Sequence, residues 1–394
     1  MTRTGSTARV LLVVPGIRGG EGVYARLIQT AAPNGVTYAV SGGVHTGAPG
    51  APCDVPLEIA LNRLVRPRAI PDIGFRALRL RNSFDLVHVH AHPVRLANLG
   101  GTPLIMSEGS SSATYLGEYL GWSEDRLARR FRRTRRIYKA LGVRDRLLAL
   151  DRVTRAYVFS DWARKVNLRW GADPAKLEVV PPGFPVAPDV SRSDRDTFTF
   201  LFVGTDFERK GGFDVVEAFE RVCAQQPRAR LVLVGSDPWE RNPDRLLHGF
   251  VGDSRRRRVL EQLERLERRG LVSHHGAVEQ REVRESFYPA ADVFVMPTLA
   301  EGFGFTNVEA MSFGLPVISS SVGPIPEIVA DGVTGLLAPP GDVDALADAM
   351  GRLASDPGLV RTLGQSAREE FLRNYTLEQF RDRLSAVYRR ALEA

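Results

Sequence analysis

The amino-acid sequence predicts an α/β protein built from two doubly wound, Rossmann-like domains. Its 394 residues exceed what a single hydrophobic core usually serves, so two domains are expected. Short apolar runs alternate with segments of helical periodicity in both halves, which is typical of parallel sheets covered by helices. A Pro- and Gly-rich stretch from Val180 to Pro185 precedes a polar segment and is the best linker in the chain. We therefore expect domains at 1–185 and 186–373, with a terminal helix, about 374–394, packing back on the first domain.

The strands are predicted from nearly continuous apolar runs, which are typical of strands buried on both faces. In the first half these runs are Arg9–Val14, Thr37–Ser41, Leu86–His90, Leu104–Ser107 and Ala156–Ser160. In the second half they are Phe198–Gly204, Arg230–Gly235, Asp292–Pro297 and Pro316–Ser320. Between the second set, amphipathic helices are predicted near Gly212–Gln226, Arg255–Arg269, Glu282–Tyr288 and Thr306–Phe313.

Composition excludes several classes of protein. With 43% hydrophobic and 25% charged residues the chain is neither disordered nor of low complexity. Two cysteines, Cys53 and Cys223, exclude a disulfide framework and fit a reducing compartment. The apolar run Val10–Pro15 is too short for a signal-peptide core or a membrane span. A cytoplasmic location is expected.

The strongest functional pattern is Glu301-Gly-Phe-Gly-Phe-Thr-Asn-Val-Glu309, two carboxylates eight positions apart between a strand end and a helix. Its glycines allow the backbone to approach a ligand closely. The amides that open the following helix form an anion site for a diphosphate, with Glu309 within reach of sugar hydroxyls. A structural alternative stays open, because Thr306 and Glu309 also have the spacing of a capping box.

The context of this pattern resembles a known family. The segments concerned are Phe202–Gly212, Glu301–Ile318, Gly323–Val329, Asp331–Gly335 and, in the first half, Gly19-Gly20, Asp85–His90 and Pro182-Gly183. In the second half, the order and spacing of these motifs resemble the retaining family-four glycosyltransferases (glycosyltransferase group 1), which have the GT-B fold. The first half resembles the family more loosely.

The resemblance implies a retaining transfer of a sugar from a nucleotide diphosphate sugar to a hydroxyl acceptor, between two domains that face each other across a cleft. Glu301 matches the carboxylate beside the transferred sugar, and Glu309 the one that usually holds the ribose. Arg209 and Lys210 match the basic pair that neutralises the leaving diphosphate. Donor contacts are also expected from Gly304, Phe305 and Thr306. One departure is Thr205, at a position where many members have Arg.

In the first half, Gly19 and Gly20 match the family's loop after the first strand, through which phosphate and sugar approach. His90 matches the histidine of the acceptor domain that points into the cleft, and is expected to act in catalysis. His88 and His92 are competitors for that role. Strand alternation favours a core position for His88.

Neither a metal nor another cofactor is expected. Asp194-Arg-Asp196 and Asp342-Val-Asp344 both match a pattern used by metal-dependent transferases of another fold. The first lies in the linker, and the second opens a surface helix, where acidic residues suit the helix dipole. Both are interpreted as structural.

The acceptor is less well specified. Residues 1–190 carry 27 basic and 15 acidic side chains, and eight of the basic ones lie between Arg126 and Lys139. A basic amphipathic helix there is typical of docking on an anionic membrane surface or of a groove for an anionic acceptor. A solvated helix paired with Glu124 and Asp125 stays open as an alternative. Nucleic acid is not expected, because stacking aromatics are not interleaved with the arginines.

The acceptor is therefore expected to be a glycan, a lipid or a small molecule, in glycan or glycolipid biosynthesis. The alternative is a glycosyltransferase for a small soluble acceptor of secondary metabolism, or a nucleotide-sugar epimerase of the same architecture. A dinucleotide oxidoreductase is disfavoured, because no Gly-x-Gly-x-x-Gly follows the first strand.

Overall fold

Two parallel sheets of six strands each organise the chain. They belong to a computed structural model, which describes residues 7–14, 19–42, 53–54, 77–80, 83–90, 95–96, 100–109, 117, 122–129, 132–133, 153–190, 196–240 and 250–394. The chain divides into two compact units, one comprising 1–117, 121–183 and 377–394 and the other 118–120 and 184–376.

The large sheet of the first unit contains β1 (Ala8–Val14), β2 (Val36–Gly42), β5 (Leu86–His90), β7 (Leu104–Glu108), β8 (Arg155–Val158) and β9 (Leu177–Val179). It is entirely parallel, in the order β2-β1-β5-β7-β8-β9. Its interior strands bury nearly every side chain, as expected for a sheet covered on both faces. A small separate sheet contains β3 (Cys53–Asp54), β4 (Ala77–Leu80) and β6 (Arg95–Leu96).

Helices α1 (Gly19–Thr30) and α2 (Asp161–Arg169) follow strands of the first sheet. The C-terminal helix α11 (Leu377–Leu392) also belongs to this unit. Its buried face includes Phe380, Leu384 and Tyr388. The phenol of Tyr388 lies 2.8 Å from Nδ1 of His88 on β5, so the last helix contacts the central part of the first sheet.

The second sheet contains β10 (Phe198–Gly204), β11 (Ala229–Gly235), β12 (Val272–His274), β13 (Val293–Met296), β14 (Val317–Ser320) and β15 (Gly335–Ala338). It is also entirely parallel, in the order β12-β11-β10-β13-β14-β15. The helices are α3 (Gly212–Gln225), α4 (Asp253–Arg268), α5 (Gln280–Glu282), α6 (Tyr288–Ala290), α7 (Phe305–Ser312), α8 (Ile325–Ile328), α9 (Val343–Ser355) and α10 (Pro357–Asn374). A π-helical turn, Val283–Phe287, joins α5 to α6.

The two six-stranded parallel sheets confirm the predicted α/β fold class. Strands Leu86–His90 and Phe198–Gly204 have the predicted bounds, and the other predicted strands agree to within two residues. In the two six-stranded sheets three strands were not predicted, namely β9, β12 and β15, and the strands of the small sheet, β3, β4 and β6, were not predicted either. The first three are the shortest edge strands of the large sheets. They are three or four residues long and lie at the edges of their sheets, so each provides too few apolar residues for a recognisable pattern.

In both six-stranded sheets, the direction in which successive strands are added reverses next to the first strand in the chain. In the second sheet, β10 is central, β11 and β12 extend to one side, and the chain then crosses to β13 on the other side. In the first sheet the same reversal separates β1 from β5. The loops after these strand pairs diverge at the carboxyl ends, which is where open α/β sheets bind their ligands.

Candidate active site

The principal cluster of candidate residues lies at the reversal point of the second sheet. Arg209 and Lys210 are in the loop after β10, and Glu301 is in the loop after β13. Because β10 and β13 pair in parallel, with Phe200 opposite Val293, both loops emerge at the same edge. The sheet order therefore brings together basic and acidic side chains that are about 90 positions apart in the chain.

Hydrogen bonds join the two loops directly. The Leu299 amide donates to the Arg209 carbonyl over 2.8 Å, and the Thr298 hydroxyl lies 3.3 Å from the same carbonyl oxygen. Gly211 adopts a left-handed backbone with φ +79°, and a Cβ there would lie 2.1 Å from the Pro297 carbonyl oxygen. Only glycine permits this approach, so Gly211 fixes the distance between the loops.

Arg209 is held in place by groups from both loops. Its Nε donates to Asp206 Oδ2 over 3.1 Å, and its Nη1 donates to the Ala300 carbonyl over 2.8 Å. Asp206 is itself buried. The guanidinium is thus preorganised, and it contributes a positive charge beside Glu301.

Lys210 and Glu301 form a buried ion pair between Nζ and Oε2. The other carboxylate oxygen of Glu301 accepts from the Gly302 amide over 3.0 Å. Burial raises the pKa of Glu301, but Lys210 and Arg209 outweigh that effect, so its pKa lies below the usual value. Burial lowers the pKa of Lys210, and the Glu301 carboxylate opposes the shift without cancelling it. Glu301 is therefore ionised at neutral pH.

Helix α7 begins beside this pair, after Gly304 in a left-handed conformation with φ +104°. A Cβ at Gly304 would lie 2.8 Å from Ile325 Cδ1, so the position is strained for any other residue. Phe305 packs edge-on against Phe184, with ring centroids 5.7 Å apart. The Thr306 hydroxyl donates to Met296 Sδ over 3.2 Å.

Asn307, in the first turn of α7, is fully buried, and its Oδ1 has no hydrogen-bond partner among the residues the structure describes. A buried amide oxygen without a donor is energetically unfavourable.

Glu309 lies deeper in α7 and is buried. Its Oε1 accepts from Gln280 Nε2 over 2.9 Å and lies 3.4 Å from Arg284 Nη1. The capping-box alternative is wrong, because the residue that precedes the helix is Gly304 and not Thr306. Glu309 is therefore oriented by partners from outside its own helix.

The candidate residues of the first unit also lie at a reversal point, between β1 and β5. Gly19 and Gly20 form the first turn of α1 and not a loop, contrary to the expectation. His90 is the last residue of β5 and is buried. Tyr24 of α1 contacts it, with ring centroids 4.2 Å apart, so α1 and the end of β5 are adjacent.

His88 is a buried core residue, as predicted, but the argument from alternation is wrong. Residues two positions apart on a strand share a face, and both His88 Nε2 and His90 Nδ1 lie within hydrogen-bond distance of Ser107 Oγ. What distinguishes the two is their position along β5, because only His90 lies at the carboxyl end. His92 is outside the described residues.

Of the remaining expectations, Asp342 caps α9 by accepting from the Ala345 amide, as predicted for a structural residue. Asp194 and much of the basic segment Arg126–Lys139 lie outside the described residues. Within its described part, residues 124–129 and 132–133 are helical, and Glu124 forms an ion pair with Arg169 of α2. In the parts of the chain that the structure covers, no cluster of three metal-ligating side chains occurs.

Comparison with known proteins identifies the second unit. Residues 185–370 match the family model described as glycosyl transferases group 1, and they include Arg209, Lys210, Glu301 and Glu309. The second unit is a group 1 glycosyl transferase domain. A D-inositol 3-phosphate glycosyltransferase of Kribbella flavida is 31% identical over 246 residues, which are 59% of this chain and 55% of that protein. The chain spans about half the length of the first curated relatives that it matches.

Solved structures with the GT-B fold resemble the whole chain. Sucrose-phosphate synthase from Thermosynechococcus elongatus superposes with a TM-score of 0.66 at 21% identity, covering 97% of this chain and 98% of that one. The Anabaena protein HepE in complex with UDP and glucose gives a TM-score of 0.64 at 16% identity, covering 97% and 99%. At these identities the likeness shows the fold, which is GT-B.

Sequence analysis did not identify four polar residues of the site in the group 1 domain, namely Asp206, Gln280, Arg284 and Asn307. Asp206 and Asn307 stand inside quoted motifs, so their polar character beside glycines was a usable signal. Gln280 and Arg284 precede Glu309 by 29 and 25 positions on separate elements. No local sequence pattern connects Gln280 and Arg284 to Glu309.

Proposed function

We propose that this protein is a retaining family-four glycosyltransferase that transfers a sugar from a nucleotide diphosphate sugar to a hydroxyl acceptor. The observation that carries the proposal is the buried Lys210–Glu301 pair at the reversal point of a group 1 domain, next to the start of α7. Cations and helix amides at one point suit a diphosphate, and a carboxylate beside them suits a sugar.

The proposed roles follow from the charges. Breaking a glycosyl–phosphate bond leaves negative charge on the departing phosphate, which Arg209, Lys210 and the amides of α7 stabilise. In this proposal Glu301, which pairs with Lys210, stabilises the positive charge that develops at the anomeric carbon. Glu309 exchanges its bond from Gln280 for ribose hydroxyls. In the first unit, His90 contacts the reacting groups, and Gly19 and Gly20 let them approach the start of α1.

No metal or other cofactor is needed in this proposal. A divalent cation often neutralises the leaving diphosphate in other transferases, and here two preorganised side chains supply that positive charge. The arrangement therefore supports a metal-independent reaction.

The proposed acceptor is anionic and belongs to a glycan or glycolipid pathway. Residues 1–190 have a net charge of +12, and Arg126, Arg129, Arg132 and Arg133 are exposed on the described part of the basic segment. Relatives include D-inositol 3-phosphate glycosyltransferases, whose name indicates a substrate that carries a phosphate. None of the helices described here is both long and apolar enough to cross a bilayer. We propose a cytoplasmic protein that docks peripherally on an anionic membrane face.

The experiment is a donor screen. Thermal shifts with UDP, GDP, ADP and dTDP identify the base, because a ligand that binds only the folded protein raises its melting temperature. Incubation with nucleotide sugars of that base should then release free nucleoside diphosphate, faster with acceptor present. The anomeric configuration of the product, read by proton NMR, tests retention. No shift with any of the four nucleotides would contradict the proposal.

A further inference from the structure

A buried network of hydroxyl and imidazole groups connects the C-terminal helix to His90 in the first unit. Tyr38 donates from its hydroxyl to the Tyr388 hydroxyl over 3.0 Å, and Tyr388 lies 2.8 Å from His88 Nδ1. His88 Nε2 lies 2.8 Å from Ser107 Oγ, which in turn lies 3.0 Å from His90 Nδ1. Four consecutive contacts thus lead from β2, through α11, to the end of β5.

The directions of the Tyr38–Tyr388 and Tyr388–His88 hydrogen bonds follow from which of these groups carry a proton. Burial lowers the pKa of His88 to about 3, so the ring is neutral and carries one proton. Tyr388 keeps its proton, because burial raises its pKa well above the usual value. Since Tyr388 accepts from Tyr38, its own proton is directed to His88 Nδ1. The proton of His88 is therefore on Nε2.

The protons around Ser107 can be assigned in the same way. His88 Nε2 lies 2.8 Å from Ser107 Oγ and 3.2 Å from the Tyr157 hydroxyl, so its proton is directed to the nearer oxygen, that of Ser107. The single proton of Ser107 is then directed to His90 Nδ1. Two more phenols, Tyr24 and Tyr157, lie 2.6 Å apart; Tyr24 also hydrogen-bonds with Ser107, and Tyr157 lies 3.2 Å from His88 Nε2. If Tyr157 donates to Tyr24 and Tyr24 donates to Ser107, every proton of the network has an acceptor within it.

We infer that Ser107 is a positioning residue for His90, whose Nδ1 accepts from the Ser107 hydroxyl so that the ring proton is held on Nε2. Hydrogen bonds that run in one direction polarise one another, and the chain that begins at Tyr38 strengthens this preference. The inference rests on the proposed function for its catalytic meaning. In the proposed reaction, a proton on Nε2 makes His90 a hydrogen-bond donor to a substrate oxygen and not a general base.

The direct test is the tautomer of His90 in the full-length protein. Nitrogen-15 spectra of histidine-labelled protein at pH 8, above the ordinary titration range of histidine, report which ring nitrogen carries the proton. A His90→Gln variant assigns the signal. We expect His90 and His88 both to be protonated at Nε2. A wild-type His90 protonated at Nδ1 would overturn the inference.

Ser107→Ala removes the donor, and Ser160→Ala is its matched control. Ser160 is a buried serine of the same unit that caps α2 and is not part of the network. In Ser107→Ala we expect the His90 signal to become a mixture of tautomers, whereas Ser160→Ala should lower only the melting temperature. A His90 that stays entirely protonated at Nε2 in Ser107→Ala would contradict the positioning role.

Kinetics separate positioning from folding. Once a donor is known, Ser107→Ala should lower kcat about tenfold with KM for the donor unchanged, as expected for one lost hydrogen bond in the transition state. Equal kcat in Ser107→Ala and the wild type would show that the tautomer does not matter to the reaction. If no nucleotide sugar is turned over at all, the proposed function fails, while the tautomer measurement still stands.

Discussion

Glu301 and Glu309 belong to one segment but have different partners. Glu301 pairs with Lys210 at the loop, and Glu309 accepts from Gln280 and Arg284 inside the domain. In the proposed function, the carboxylate nearest the loop cations takes part in the reaction, and the other holds the nucleotide. Substitution of each carboxylate should therefore affect a different step.

We predict that Glu301→Gln lowers turnover and leaves nucleotide affinity nearly intact. Glu309→Gln should instead weaken nucleotide binding by about 1–3 kcal/mol, the magnitude of a lost hydrogen bond to a charged group. Isothermal titration with the nucleotide and initial-rate kinetics measure the two effects. Glu285→Gln, at an exposed glutamate paired with Arg281, is the control. A Glu309→Gln variant with lower melting temperature but unchanged affinity would make Glu309 a structural residue.

His88 predicts a pH dependence of stability. Its pKa is about 3 in the folded protein and about 6.5 when unfolded. Because the unfolded chain binds the proton more tightly, the stability is complete above pH 6.5 and falls as the pH decreases toward 3. Between pH 7 and pH 5 the loss from this residue should be about 2 kcal/mol. Urea unfolding at both pH values measures it, and His88→Gln should remove this part of the difference. An unchanged pH dependence would contradict the assignment.

At the scale of single elements, the loop after β10 depends on one glycine. We predict that Gly211→Ala destabilises the protein by more than about 4 kcal/mol, since its Cβ would overlap the Pro297 carbonyl. Gly270→Ala is the matched control, because Gly270 has φ +65° but no atom within 4 Å of the added Cβ. It should lose only about 1–2 kcal/mol from backbone strain. If urea unfolding showed equal losses of unfolding free energy in the two variants, the contact between Gly211 and the Pro297 loop would not be tight.

The basic segment makes a second prediction at this scale. Replacing Arg129, Arg132 and Arg133 with Gln should weaken binding to phosphatidylglycerol vesicles by about 3 kcal/mol, about 1 kcal/mol for each charge near the surface. Vesicle sedimentation at low salt measures the change, and higher salt should mimic it. The control replaces three exposed arginines of the second unit, Arg257, Arg268 and Arg269. A wild-type protein that ignores these vesicles would exclude the docking proposal.

For the whole molecule, we predict that the chelator EDTA does not lower the rate of turnover. Arg209 is fixed by Asp206 and Ala300, and Lys210 is paired with Glu301, so in the proposed reaction the protein itself supplies the positive charge at the leaving group. Initial rates with and without chelator should agree. Loss of activity that Mg²⁺ or Mn²⁺ restores would show that these two cations are insufficient.

Much of the fold was predictable because parallel strands buried on both faces leave continuous apolar runs. β5 and β10 were predicted to the residue for that reason. The short edge strands β12 and β15 escaped, as did the first-turn position of Gly19 and Gly20, since a glycine pair is as common in turns as at the start of a helix. At the site, the residue types of the Glu301–Glu309 segment indicated the chemistry, whereas the partners of these carboxylates did not follow from it.

By itself, the sequence determined the fold class, most strand positions and the segments that carry chemical groups, because these depend on local periodicity and on residue type. Only the tertiary structure decided that Lys210 pairs with Glu301, that Arg284 reaches Glu309 and that His88 and His90 share Ser107. It also decided that Tyr388, 300 positions after His88, completes the network of the first sheet. The physical reason is that such pairs depend on the order of strands within a sheet, which the pattern of any single segment does not encode.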